Sequence, residues 1–176
     1  KDLVGEVAKS ILDGRIEGNQ GMHQNTMGLA AIVYNEEPQS SAWLDWLFEP
    51  GKGDIPKILQ ENLSRDGFSP ESSIGYATIP IHSFSSLAEM LAHSSKSETF
   101  GLYNRFPKFD SGFMALAKTR LLDAVTPAIG DDSGTLLYNP QTYPTEMLLN
   151  AYRNIGSREL AREIWFSNRR SWDGLH

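Results

Sequence analysis

The sequence contains no cysteine and no long hydrophobic run. The absence of cysteine excludes disulfide bonds and thiol catalysis, and it leaves the redox compartment open. No stretch approaches the roughly 20 consecutive apolar residues that a transmembrane helix requires. Basic residues are in the minority, because 16 lysines and arginines stand against 22 acidic residues, with a formal net charge of -6 at pH 7. This balance argues against a nucleic-acid partner that is held by bulk attraction to phosphate.

The composition is otherwise ordinary for a globular protein, with 40% hydrophobic and 22% charged residues in a chain of 176. Because domains average roughly 150 residues, this length predicts one domain with a core. The chain begins inside a helical pattern, KDLVGEVAKSIL, and stops abruptly at SWDGLH. We therefore expect residues 1–176 to form a single domain or a fragment of one, with the remainder of a longer chain as its partner.

Apolar residues recur at helical spacing along most of the chain, which predicts an all-α fold of antiparallel helix pairs. The third helix should be capped by Ser40 or Ser41, and a long irregular loop should precede the last helix pair. The weak strand candidate is 78–81. The predicted helices lie at about 2–13, 22–35, 41–48, 54–63, 84–91, 113–122, 144–155 and 157–168.

Two polar segments lie at predicted helix ends. The first is the hinge EGNQGMHQN, residues 17–25, which precedes a helix that is apolar on nearly every side, and the second is the turn SRDGFSPESSIGY, residues 64–76. An even number of helices separates them, so we expect both at the same end of the helix pairs. Together they offer a cation, amides, an imidazole and a phenol, which suit proton abstraction next to a carboxylate, as in β-elimination on a uronic acid.

Four motifs resemble the α/α-toroid domain of heparinase II/III-like proteins. They are GNQGMHQN before an apolar helix, RDGFSPESSIGY, PAIGDDSG and the tail LAREIWFSNRRSWDGLH, in the same order over roughly 15–176. The resemblance implies an incomplete α/α toroid, lyase activity on uronic-acid polysaccharides, and a periplasmic or extracellular location. It assigns Asn19 to the substrate carboxylate and Tyr76 to proton transfer. This sequence departs from the family in having Gln20 where many relatives have His, and in lacking the family's β-sandwich domain.

The expected mechanism is β-elimination without a metal or a cofactor. Asn19, Gln20 and Arg65 would neutralise the uronate carboxylate. Either His23 or Tyr76 would remove the C5 proton, and Tyr76 would protonate the departing oxygen. The further residues expected to contact an anionic polysaccharide are Gln24, Glu71 and Asp131.

Simpler roles compete for the same residues. Asn19 and Gln20 are suited to helix capping, and His23 suits a structural hydrogen bond. Tyr76 suits a buried ring with a bonded hydroxyl. Trp43 and Trp46 are spaced for packing more than for stacking on sugars, and adjacent aspartates at 131–132 predict a turn more than a metal site.

Two other functions fit the same sequence. One is a toroid that binds carbohydrate without cleaving it, which the Gln20 substitution favours. The other is a glycoside hydrolase in which Glu71 pairs with Asp66 or Asp131 as acid and base.

Overall fold

The computed structural model describes residues 2–16, 18–71, 73–131, 134, 136–137 and 140–175. They are mostly helical, so the all-α prediction is confirmed. A π-helical segment spans Lys57–Asn62, and two short strands, β1 (Val125–Thr126) and β2 (Leu136–Leu137), pair antiparallel. The helices are α1 (Asp2–Leu12), α2 (Met22–Tyr34), α3 (Gln39–Phe48), α4 (Ile74–Ala77), α5 (Ile79–Ala92), α6 (Ser97–Phe100), α7 (Pro107–Gly112), α8 (Ala115–Thr119), α9 (Thr145–Ile155) and α10 (Arg158–Ser167).

Helices α2 and α3 form an antiparallel pair. Near the end of α2, the Tyr34 ring lies 5.0 Å from the Trp43 ring, measured between centroids. At the start of α2, the side chain of Gln24 donates a hydrogen bond of 3.1 Å to the carbonyl of Gly53, just beyond the end of α3. The start of one helix therefore lies beside the end of the other.

Helices α2 and α5 run in the same direction, and two glycines allow their close contact. A Cβ atom on Gly21 would lie 2.9 Å from Cβ of Ser83, near the start of α5. A Cβ atom on Gly28, two turns later, would lie 2.3 Å from a methyl group of Leu87. A side chain at Gly21 would overlap Cβ of Ser83, and one at Gly28 would force the Leu87 side chain to move, so glycine at both positions allows the close contact of α2 with α5.

Helix α9 runs in the same direction as α5. The ring of Tyr143, just before α9, lies 6.5 Å from the ring of His82 in the first half of α5. Further along both helices, Met147 lines a cleft together with Met90. Helix α10 returns antiparallel, because Oγ1 of Thr145, the first residue of α9, lies 3.0 Å from Oγ of Ser167, the last residue of α10.

The starts of α2, α5 and α9 thus lie at one end of the molecule, with the ends of α3 and α10 beside them. We call this end the starting face. Beneath it lies a core of aromatic rings. The centre of the Phe113 ring is 5.1 Å from the centre of the Phe109 ring and 6.5 Å from that of the Tyr143 ring. Within the described ranges, no helix has the length and apolar character needed to cross a bilayer.

Most of the longer helices agree with their predicted positions, and three local predictions are wrong. Residues 78–81 join α4 to α5 and are not a strand, because Pro80 fits the first turn of a helix. Ser40 lies inside α3, where its hydroxyl accepts a hydrogen bond from the Glu36 amide. The helix predicted at 113–122 corresponds to α8, which ends at Thr119, and Leu122 is 97% exposed in the turn before β1.

Candidate functional site

The amides of Asn19 and Gln20 stand at the entrance to α2. Neither side chain caps the helix, since the N-cap is Gly21 in a left-handed conformation with φ 98°. The main-chain carbonyl of Asn19 accepts a 3.0 Å hydrogen bond from the amide of Met22, which fixes the turn. Both amide side chains are exposed and make no hydrogen bond to any described residue, so they are available to a ligand.

Gln24 serves the fold. Its side chain is 4% exposed, and its Oε1 accepts a 3.0 Å hydrogen bond from the amide of Gly21. Its Nε2 is the donor to the carbonyl of Gly53. Both ends of the amide are therefore engaged in holding the hinge to the loop after α3, and we leave Gln24 out of the proposed contacts to substrate.

His23 lines a cleft of about 320 Å³ between the end of α1, the start of α2 and the end of α3. Trp46 and Lys52 line the same cleft, whereas Trp43 belongs to the core. Burial lowers the pKa of His23 from its ordinary value of 6.5, so its imidazole is neutral at pH 7. Its Nδ1 atom is buried without a hydrogen-bond partner among the described residues. The ring is thus an uncharged group with an unused nitrogen.

Tyr76 lies on the short helix α4, which leads directly into α5 at the starting face. Ser73 caps α4, because its hydroxyl accepts a 3.2 Å hydrogen bond from the amide of Tyr76. Tyr76 is 47% exposed, and the described residues offer no hydrogen bond to its hydroxyl. The buried-ring role is therefore wrong for Tyr76, and its phenol points to solvent.

The charged residues of the turn at 64–76 are dispersed. Arg65 is exposed and forms no ion pair within the described part of the chain, while Asp66 pairs with Lys118 at 3.4 Å. Glu71 lines a separate cleft of about 200 Å³. Asp66 is therefore engaged by Lys118 and is not among the residues that line the Glu71 cleft.

Asp131 lies in an exposed turn just after Ile129, which lines the same cleft as Glu71. The neighbouring Asp132, the other half of the adjacent pair in the sequence, lies outside the described residues. Among the residues that are described, no group of three or more His, Asp or Glu side chains is placed to hold a metal ion.

The sequence did not predict a cleft with a volume of about 470 Å³. It lies at the starting face between the turn before β1, the segment before α9 and the end of α10. Its lining includes Arg169 and Arg170, which the sequence shows as an Arg pair in the tail motif without indicating a role. The pairing of α9 with α10, which brings 140–142 beside 166–170, was needed to find it.

Comparison of the chain with protein-family models, curated proteins and solved structures finds no match. The resemblance carried by the four sequence motifs therefore stays a prediction.

Proposed function

We propose that this chain is the helical domain of a polysaccharide lyase that cleaves a uronic-acid polymer by β-elimination. The proposed architecture is an incomplete α/α toroid of the heparinase II/III-like type. The observation that supports it is the parallel set α2, α5 and α9, whose starts all lie at the starting face. A toroid repeats this arrangement, with parallel inner helices that are each returned by an outer helix.

The proposed reaction begins at the substrate carboxylate. The amide groups of Asn19 and Gln20 donate hydrogen bonds to it, which spreads the negative charge that develops when the C5 proton leaves. The electron pair of the C5–H bond then forms a double bond to C4, and the bond between C4 and the glycosidic oxygen breaks. The Tyr76 hydroxyl gives its proton to that oxygen.

His23 is the leading base in this scheme. Its neutral imidazole can accept the C5 proton. Its cleft also presents Lys52, which forms an exposed ion pair with Glu49 at 2.8 Å and would exchange this partner for the uronate carboxylate. The partly exposed ring of Trp46 offers a surface for stacking against a sugar. Tyr76 is the alternative base, in which case its phenolate removes the C5 proton and the resulting phenol gives that proton to the departing oxygen.

The remaining residues act at the margin of the proposed site. Arg65, exposed and unpaired among the described residues, would supply a second cation for an acidic sugar, and Glu71 and Asp131 would accept hydrogen bonds from sugar hydroxyls. The substrate is an anionic polysaccharide or oligosaccharide. A periplasmic or extracellular location and association with the remainder of a longer chain belong to the same proposal.

One observation favours a second function, a toroid that binds carbohydrate without cleaving it. His23 and Glu71 line two different clefts, and Tyr76 is in the lining of neither. Without a base next to the acid, the same face would hold a polymer and leave it intact.

The test is the absorbance of the unsaturated uronate product in the near ultraviolet, followed with alginate, glucuronan, heparan sulfate and chondroitin. Tyr76→Phe removes only the hydroxyl and should lower turnover by at least about 100-fold, since positioned proton transfer contributes roughly that much. Tyr152→Phe, at another exposed tyrosine on α9, is the matched control and should leave turnover unchanged.

Equal turnover by Tyr76→Phe and the parent protein would remove Tyr76 from the mechanism. Binding of a polymer by the parent without any rise in absorbance would replace the lyase with the non-catalytic binding domain.

A further inference from the structure

The cleft of about 470 Å³ at the starting face carries two guanidinium groups. Arg169 is exposed and forms no hydrogen bond or ion pair with any described residue. Arg170 is held more firmly, because its guanidinium donates to the carbonyl of Asp123 at 3.4 Å and lies 5.4 Å from the centre of the Phe166 ring. The guanidinium N–H groups of Arg169, which no described residue binds, therefore lie next to the Arg170 guanidinium, which is held in place.

Among the described residues that line the cleft, Asp123 is the one carboxylate, and it is already neutralised. Its Oδ2 lies 3.5 Å from the guanidinium of Arg162, and its Oδ1 lies 4.0 Å from Nε of Arg120. The charge left for an occupant of the cleft is therefore positive, although the protein as a whole is acidic.

Backbone strain occurs on both walls of the same cleft. Arg169 and Arg170 have φ values of 55° and 60°. On the facing wall Asp123 has a φ value of 52°, and Leu122, just before it in the chain, has a φ value of 54°. Left-handed backbone is unfavourable for residues other than glycine, and for branched Leu122 it is a clear outlier. Two consecutive pairs of such residues indicate that the position of these side chains is maintained at a cost in stability.

The wall behind the cations is rigid. The guanidinium of Arg120 stacks on the Phe166 ring, 3.8 Å from its centre, and Phe166 also lines the cleft. Arg120 is itself bound through two nitrogens to the buried carboxylate of Glu163. This framework limits the side-chain freedom that would be lost when a ligand binds.

We propose that this cleft is an anion subsite, in which Arg169 and Arg170 bind the carboxylate or sulfate group of an acidic sugar. A guanidinium matches either group with two parallel hydrogen bonds. The hydroxyl of Thr142, also in the lining, is placed for a neutral part of the same sugar. The identity of the ligand as a sugar rests on the proposed lyase or binding function, whereas the preference for an anion rests on the cleft alone.

The experiment measures dissociation constants by calorimetry at low salt for three probes. They are an oligoglucuronate, the same oligomer with its carboxyl groups reduced to alcohols, and a sulfated, carboxyl-reduced oligomer of equal length. The variants are Arg169→Gln and Arg169→Gln/Arg170→Gln, with Arg158→Gln as control, because Arg158 is exposed at the opposite end of α10 and carries the same charge.

We expect the parent protein and Arg158→Gln to prefer an anionic probe over the neutral one by at least tenfold. The double variant should lower this preference by roughly tenfold or more, since a hydrogen bond to a charged group contributes about 1.5–3 kcal/mol. Arg169→Gln alone should weaken anion binding without lowering thermal stability, which distinguishes loss of the site from misfolding. The carboxylated and sulfated probes identify the anion.

Unchanged preference in the double variant, or no preference in the parent, would overturn the anion subsite. If the preference is lowered in the variants but no polymer yields an unsaturated product, the subsite stands and the lyase reaction fails.

Discussion

Arg120 and Glu163 form a buried ion pair in which two guanidinium nitrogens donate to the two carboxylate oxygens. The side chains are 4% and 2% exposed, so if one partner is lost, water has little access to solvate the charge that remains. The pair joins α10 to the chain just beyond α8, and it supports Phe166 beneath the anion subsite.

Glu163→Gln should lower the free energy of unfolding by about 3–5 kcal/mol, because it leaves the Arg120 charge buried without its counterion. Arg120→Met/Glu163→Leu should recover most of the loss, since an apolar pair removes both desolvation penalties. Urea denaturation of the two variants and the parent measures this. A double variant as unstable as the single one would show that another feature of the pair, such as the stacking on Phe166, determines stability.

Gly28→Ala should destabilise the protein by about 1–3 kcal/mol, because the new methyl group would overlap Leu87 between two parallel helices. Gly5→Ala, in α1, is the matched control. Nothing lies within 4 Å of the Cβ position at Gly5, so the better helix propensity of alanine should stabilise by up to about 1 kcal/mol. Opposite signs in thermal unfolding are expected, and equal signs would contradict the close contact of α2 with α5.

The carboxyl group of Asp110 should make stability fall as the pH rises. Burial raises its pKa from 3.8 to about 6, against the smaller effect of a hydrogen bond from the amide of Asn104. The folded state therefore binds this proton more tightly than the unfolded state, and the stabilisation present below pH 3.8 is lost as the pH passes through about 6. Asp110→Asn should remove that loss, so its stability relative to the parent should increase over the same range.

Urea denaturation at a series of pH values checks this, with Asp45→Asn at an exposed position as the control. A constant difference between Asp110→Asn and the parent across the range would show that the carboxyl group titrates alike in the folded and unfolded states.

His23 should have the opposite effect. Because burial lowers its pKa, its contribution to stability is present above pH 6.5 and is lost as the pH falls through the lower folded-state value. His23→Gln should flatten this acid-side decline, whereas His82→Gln, at an exposed histidine, should not. His23→Gln also separates a catalytic role of His23 from a structural one. A catalytic base is required for turnover at pH 7, whereas a structural imidazole is not.

Helical periodicity predicted the long helices well, because α1, α9 and α10 each bury one face, and α2 is apolar on most sides. It extended α8 too far, since Leu121 and Leu122 fit the helical spacing but lie beyond its end, Leu121 in a bridge to Val125 and Leu122 in a turn. Short α7 contacts the π-helical segment Lys57–Asn62, which is distant in sequence, and β1 and β2 have only two residues each, so periodicity could predict neither α7 nor the strand pair.

The candidate site was predictable only in part. Polar residues in the hinge were expected at a helix entrance, and Asn19 and Gln20 lie there with free amides. The Gln24 side chain donates a hydrogen bond to the carbonyl of Gly53, which is distant in sequence. A local sequence pattern could not predict this contact. The anion subsite requires three separate segments to meet, so an Arg pair alone did not identify it.

The parallel order of α2, α5 and α9 also bears on how the chain folds. Each of these helices meets the next only after a long excursion of the chain, so every contact between them closes a large loop. Contacts of this kind slow folding, whereas the hairpins α2–α3 and α9–α10 close small loops and can form early. We therefore expect the hairpins to appear first in refolding, and the starting face to be assembled in the last step.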